Sequence, residues 1–196
     1  MAHEDDLFQI MGQAWNVVNT NGSVTETVMS ADTSEGLVVQ YGLRAAALED
    51  LSLYHWEWSG ASGGYSQHAR TPLKSAAGVP LVPLGGGGEP RYSIAAGTTI
   101  QVRQTAENRG RTTQNVTIKW YVSTNDLITT ADTVLATSSI NIARAFPFTW
   151  DRTVTLPNNL ISGEDYWVGA IIDTAGVLAE HNEINNAIYV AEIEIP

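Results

Sequence analysis

From Gly97 onward, apolar and polar residues alternate in the manner of half-buried strands. In TTIQVRQTAEN, Ile100 and Val102 fall on one face and Gln101 and Arg103 on the other; the alternation stops at Asn108-Arg109-Gly110, a turn signal. NVTIKWYVS repeats the behaviour, with Val116, Ile118, Trp120 and Val122 at period two. A loop rich in Asn, Asp and Thr follows, TNDLITTADT, then VLATSSINI and, after Pro147, FTWDRTVTL. The turns Pro157-Asn158-Asn159 and Ser162-Gly163 separate these from YWVGAIID, whose apolar density predicts a central strand. NAIYVAEIEI closes the pattern, with Ile188, Val190, Ile193 and Ile195 alternating less regularly. About seven strands at this spacing predict an all-β, immunoglobulin-like sandwich.

Upstream the pattern changes. DLSLYHWEW sets Leu51, Leu53, His55 and Glu57 against Ser52, Tyr54, Trp56 and Trp58, which predicts a strand with one aromatic face lying on a core. Gly60, Gly63-Gly64 and the run Gly85 to Gly88, interspersed with Pro72, Pro80, Pro83 and Pro90, cannot hold a helix. That stretch reads as a long decorated loop with a short hairpin at YSQHART. Only SADTSEGLVVQYGLRAAALED has helical spacing, with Leu37, Val38, Tyr41, Leu43 or Arg44, and Leu48 near that period and Ser30, Asp32 or Ser34 as caps. Gly42 costs this helix roughly 1 kcal/mol relative to Ala and offers it a place to stop. The expected division is a short helical appendage over 1–47 and a sandwich over 48–196.

Composition narrows the function classes. Hydrophobic residues make up 43% and charged residues 16%, so the chain is globular and its polar surface must come mainly from Thr, Ser, Asn and Gly, a bias suited to a β-rich extracellular domain. A formal charge of −11 repels phosphate backbones and anionic lipid, which argues against nucleic acid as a partner. With no cysteine, disulfides, Cys-ligated zinc and thiol catalysis are excluded. No apolar run approaches the ~18–20 residues of a membrane span, and any export signal is expected to lie upstream of Met1, in a longer precursor, or to be lacking. Nothing in the pattern sets an oligomeric state.

The opening residues carry a resemblance. His3 is followed by Glu4-Asp5-Asp6 and then Ile10-Met11-Gly12, and ADTSEGLVVQYG leads into the helical stretch. This is similar to the end of the catalytic domain of matrixin-like (metzincin) zinc metalloproteases: third zinc histidine, acidic loop, Met-turn and final helix. The resemblance implies that His3 is the family's third zinc ligand and Met11 its Met-turn residue, with zinc in the parent protease. HExxH occurs nowhere in the chain, so two ligands and the glutamate that takes the water proton are missing. One imidazole cannot hold zinc, so His3 is expected to be unoccupied and no catalytic residue is assigned.

A second resemblance covers roughly the last hundred residues, through Asn108-Arg109-Gly110, Tyr121-Val122-Ser123, Tyr166-Trp167 after Gly163, and Glu180-His181-Asn182-Glu183-Ile184-Asn185-Asn186. These resemble the signposts of the CARDB family of bacterial and archaeal immunoglobulin-like modules. The two resemblances together imply the C-terminal part of a secreted bacterial metalloprotease carrying such a module.

Candidate sites remain. Asp126, Asp132, Asp173, Glu180 and Glu183 stand in predicted connections, where hard oxygen ligands could bind calcium; without a DxDxDG array, turn formation is the favoured use. Asn185 and Asn186 read as turn or bulge fixers before the last strand. Tyr54, Trp56, Trp58 and Tyr65 could form a protein- or carbohydrate-binding platform, but core packing is the favoured use. The spacing of His55, His68 and His181 supports no metal cluster. The expected function is that of a non-catalytic extracellular accessory or adhesion module, binding a protein or polysaccharide or the rest of a parent protease. The alternative is one part of an active zinc endopeptidase whose HExxH lies upstream or on a partner chain.

Overall fold

The computed structural model describes residues 17–18, 24–26, 49–55, 71–85, 90–108, 110–144, 146–180, 183 and 185–196, and all regular structure among them is β. Two short strands, β1 (Val17–Val18) and β2 (Val24–Glu26), pair as an antiparallel ribbon within the stretch whose only expected element was a helix. That helix, the Met-turn and the hairpin at YSQHART lie outside the described residues.

The sandwich is built from β3 (Leu51–Tyr54), β4 (Lys74–Ser75), β5 (Arg91–Ser93), β6 (Thr99–Asn108), β7 (Gln114–Ser123), β8 (Thr133–Ile142), β9 (Phe146–Thr155), β10 (Asp165–Ile172) and β11 (Ala187–Glu194). One sheet has the order β5-β11-β10-β7-β8. In the other, β3 and β4 lie end to end along one side of β6 and β9 pairs along its other side. Among the described strands, pairing is antiparallel except between β5 and β11. Consecutive strands β8 and β9 change sheets, as do β6 and β7, the crossing connections of an immunoglobulin-like sandwich.

The alternation read from the sequence is the burial observed. Ile100 and Val102 of β6 face Val116, Ile118, Trp120 and Val122 of β7 across one hydrophobic core. The weaker alternation of β11 has a local cause. Val168 pairs with Ala191 but Gly169 pairs with Tyr189, so Val190 is an extra residue. Such a bulge shifts the phase by one, and the core residues pass from Ile188 and Val190 to Ala191, Ile193 and Ile195. Pro147, expected to precede its strand, lies within β9 opposite Glu107. The position tolerates it because β9 pairs only with β6 and its other side needs no N–H donor. β3 likewise differs from the expected one-faced strand: all of its residues are buried.

Strand register places the connections at two ends. Residue 49, the β6–β7 turn and the β10–β11 connection share one end, because Leu51 pairs with Asn108 and Ile172 with Ile118. The β7–β8 and β9–β10 connections lie at the other, because Trp167 pairs with Ser123 and Thr99 with Thr155.

Candidate functional site

The flank where the two sheets meet at β8 and β9 gathers aromatic, cationic and amide groups. Register sets Phe148, Trp150, Arg152 and Val154 of β9 opposite Ala106, Gln104, Val102 and Ile100 of β6. Trp150 meets Trp120 edge-on, with ring centroids 6.0 Å apart and an interplanar angle of 85°. Phe148 stacks on Trp150 at 5.5 Å and 19° and is 44% exposed, so it carries the aromatic surface out to solvent. The Arg152 guanidinium carbon lies 5.7 Å from the Trp120 ring centroid, a cation–π distance.

This flank holds polar atoms without partners. Gln104 and Trp120 are fully buried, yet the Gln104 amide nitrogen and oxygen, Trp120 Nε1 and Arg152 Nε make no hydrogen bond. A buried group left this way costs about 1–3 kcal/mol. Arg152 Nη2 does donate to the carbonyl of Thr137, though at a long 3.4 Å. These three donors and one acceptor lie enclosed beside the indole rings, behind the exposed Phe148. The sequence carried the signal: FTWDRTV places Phe148, Trp150 and Arg152 at period two. Large aromatics at that period also describe a core face, which is why they do not stand out as a site.

At the end where β3 begins, acids and amides form a brace. Glu180 accepts from the backbone N–H of Leu51 at 2.5 Å and from Asn186 Nδ2 at 2.9 Å. Asn186 Nδ2 also donates to Glu183 at 3.0 Å, and Asn185 Nδ2 to Asp50 at 3.2 Å. Burial, together with the charges of Glu183 and Asp50, raises the pKa of Glu180 to about 7, while the Leu51 N–H and Asn186 amide act in the opposite sense. Glu49 completes the tie by accepting from the N–H of Arg111 at 2.9 Å and from the Thr112 hydroxyl at 3.0 Å. Asp50 and Glu49 belong to this group although nothing in their sequence context marked them; their partners are about 60 to 135 positions away.

The five acids considered as calcium ligands are therefore divided. Glu180 and Glu183 come together with Asn186, whereas Asp126 and Asp132 lie in the β7–β8 connection at the opposite end. Asp132 Oδ2 accepts from the N–H of Thr129 at 2.6 Å and its hydroxyl at 3.1 Å, a turn-forming use, and it borders an open cleft of about 260 Å³ with Thr124, Leu160 and Tyr166. Asp173, with φ of 47°, accepts from the N–H of Leu178 at 2.9 Å in the β10–β11 connection. Asn185 and Asn186 both bond to carboxylates, Asn185 to Asp50 and Asn186 to Glu180 and Glu183. Among the described residues, no group of three His, Asp or Glu side chains is arranged around a common metal position. Tyr54 is buried, with its hydroxyl 3.1 Å from that of Ser52, whereas Phe148 is an exposed aromatic among the described residues. His3, Met11, Trp56, Trp58 and Tyr65 lie outside the described residues.

No protein-family model matches the chain, and no curated protein does. Among solved structures it is similar to the crystal structure of a CARDB domain from Pyrococcus furiosus in complex with di-metal ions, with 11% identity and a TM-score of 0.45; 76% of this chain and 90% of that one are covered. It is also similar to the solution structure of that domain, with 12% identity and a TM-score of 0.44 over 76% of this chain and 99% of that one. A putative beta-galactosidase from Bacteroides fragilis is similar over 50% of this chain and 14% of its own, with 17% identity and a TM-score of 0.30. No helix among the described residues is long and apolar enough to cross a membrane.

Proposed function

We propose that the chain is a non-catalytic extracellular binding module, of the accessory or adhesion kind, which captures an extracellular protein or polysaccharide at the β8–β9 flank. The observation that carries this reading is the exposed Phe148, stacked on Trp150 and continued inward by Arg152, Trp120 and Gln104, whose buried polar atoms lack partners. Aromatic and arginine side chains dominate binding energy at protein surfaces, and unpaired donors next to them supply orientation. A parent secreted zinc metalloprotease, with the module following its catalytic domain, is part of the proposal and rests on the likeness of the segments from His3 to Met11 and ADTSEGLVVQYG.

The test is a titration followed by tryptophan fluorescence, with one series of soluble polysaccharides and one of unfolded and folded extracellular proteins. Saturable quenching by a member of either series, lost in Phe148→Ala and Arg152→Ala, supports the proposal. A response unchanged in both variants, or none in either series, removes it. A casein-cleavage assay tests the non-catalytic part, which chelator-sensitive proteolysis with stoichiometric zinc would overturn.

A further inference from the structure

Among the described residues β8 ends its sheet, pairing with β7 on one side only. It is ten residues long, TVLATSSINI, and contains no charge and no proline. Open strand edges recruit further strands, and proteins commonly block them with charge, proline or bulges. β9, the long edge of the other sheet, has such protection in Pro147, Asp151 and Arg152. β8 has only a bulge near its start, where Trp120 pairs with Ala136 and Tyr121 with Val134, leaving Ala136 to Ile142 in regular register. Thr137, Ser139 and Asn141 in that stretch are exposed, so the edge is accessible.

We infer that β8 pairs antiparallel with β8 of a second copy of this chain, joining the two sheets across a two-fold axis near Ser139. Charge permits this occupant. A molecule of net charge −11 repels its own copies wherever carboxylates must approach, and an uncharged ten-residue edge lets two copies meet without that repulsion. The strand is also complementary to itself, as a two-fold contact requires. With Ser139 on the axis, Thr137 meets Asn141 on the outward face, while Ala136 meets Ile142 and Ser138 meets Ile140 on the face that looks toward the core. Polar pairs thus fall outside, and pairs containing a buried or half-buried isoleucine fall inside. The long bond from Arg152 to the Thr137 carbonyl is one that a partner N–H could replace. Arg152 also belongs to the aromatic flank, so the dimer contact and a ligand held there adjoin each other along this edge.

Sedimentation of the whole chain from low micromolar to near-millimolar concentration tests it. A monomer–dimer equilibrium is expected, with the dimer Kd raised about tenfold or more in Ser139→Lys and the unfolding midpoint of the monomer unchanged. Because the chain has no cysteine, Ser139→Cys gives a second readout: mild oxidation should cross-link it in preference to Ser162→Cys at the other end of the sandwich. A monomer at every concentration overturns the inference, as does a dimer indifferent to Ser139→Lys or cross-linking no faster through Ser139→Cys than through the control. If Ser139→Lys does not fold, the cross-linking comparison decides alone. Pairing of β8 only with strands of other proteins would appear as a monomer and count against it.

Discussion

The carboxylate of Glu180 accepts the backbone N–H of Leu51, 129 positions earlier in the chain, at 2.5 Å. The first strand of the sandwich is thereby fastened to the connection that precedes the last one. The same carboxyl is buried and faces Glu183 and Asp50, and its pKa rises to about 7 from an ordinary 4.5. The sign follows from proton linkage: the folded state holds this proton more tightly, so the group's contribution to stability is full below pH 4.5 and is lost as the pH rises toward 7. Its full extent is about 3 kcal/mol. Glu180→Gln, neutral at every pH, should gain on the wild type between pH 5 and pH 8 in denaturant unfolding. A stability difference that does not vary with pH would show that Glu180 is charged throughout.

Asp151 has the opposite linkage. Its hydrogen bonds with Arg103 lower its pKa most, against burial that raises it, and Lys74 adds a further lowering. Both Arg103 bonds are short, at 2.9 and 2.8 Å, and Lys74 lies at 3.0 Å, so one carboxylate joins β4, β6 and β9. The stabilisation is present above the unfolded pKa and lost as the pH falls through the folded value. Asp151→Asn should cost roughly 1 kcal/mol at neutral pH, as a partly exposed ion pair does, and progressively less in acid. Equal losses at neutral and acid pH would place the effect in packing.

Gly169 occupies the centre of β10 at the β11 bulge. A Cβ there would lie 2.3 Å from the carbonyl oxygen of Ile188 and 2.6 Å from Ile128. The first is backbone and cannot turn aside. Gly169→Ala should therefore destabilise the domain by about 2 kcal/mol or more through overpacking, measured by thermal or urea unfolding. A neutral effect would mean that the β10–β11 ladder is looser than this register requires.

Period-two alternation was sufficient to find β6 and β7, and apolar density to find β10, because each has a partner strand on both sides. It weakened at β11, where the bulge at Val190 changes the phase, and at β3, whose Ser52 and Tyr54 are as buried as Leu51 and Leu53. The acids and amides of the last connection were visible as a dense run, but their use was not. Asn186 reaches Glu180 and Glu183 within that run, whereas the partners of Glu180 and Asn185 at Leu51 and Asp50 depend on long-range topology. The aromatic flank was hidden by its own regularity, since Trp150 and Phe148 fit the period of an ordinary core face.

Gln104 offers a test of that flank by stability. Its side chain is fully buried and both amide atoms are unpaired. An apolar group of similar size removes the desolvation cost at no loss of hydrogen bonding, so Gln104→Leu should stabilise the free protein by about 1 kcal/mol. The same substitution should weaken ligand binding if the amide is kept for a ligand. Destabilisation by Gln104→Leu would mean that the amide is already satisfied by enclosed water.

Calcium brings the acidic connections to a decision. Ligation needs about 6–8 oxygens converging on one point. Asp126 and Asp132 lie at one end of the sandwich and Glu180 and Glu183 at the other, so these four acids cannot share an ion. Within the brace the space between Glu180 and Glu183 is taken by the Asn186 amide nitrogen, a donor that turns away a cation. At the other end the Asp132 carboxylate is engaged by Thr129. Millimolar calcium should accordingly raise the unfolding temperature no more than magnesium at equal ionic strength, since both then act only by screening. Calcium-specific stabilisation abolished by Glu183→Ala would show that Asn186 turns its carbonyl toward the acids, and one abolished by Asp132→Ala would assign the ion to the β7–β8 connection.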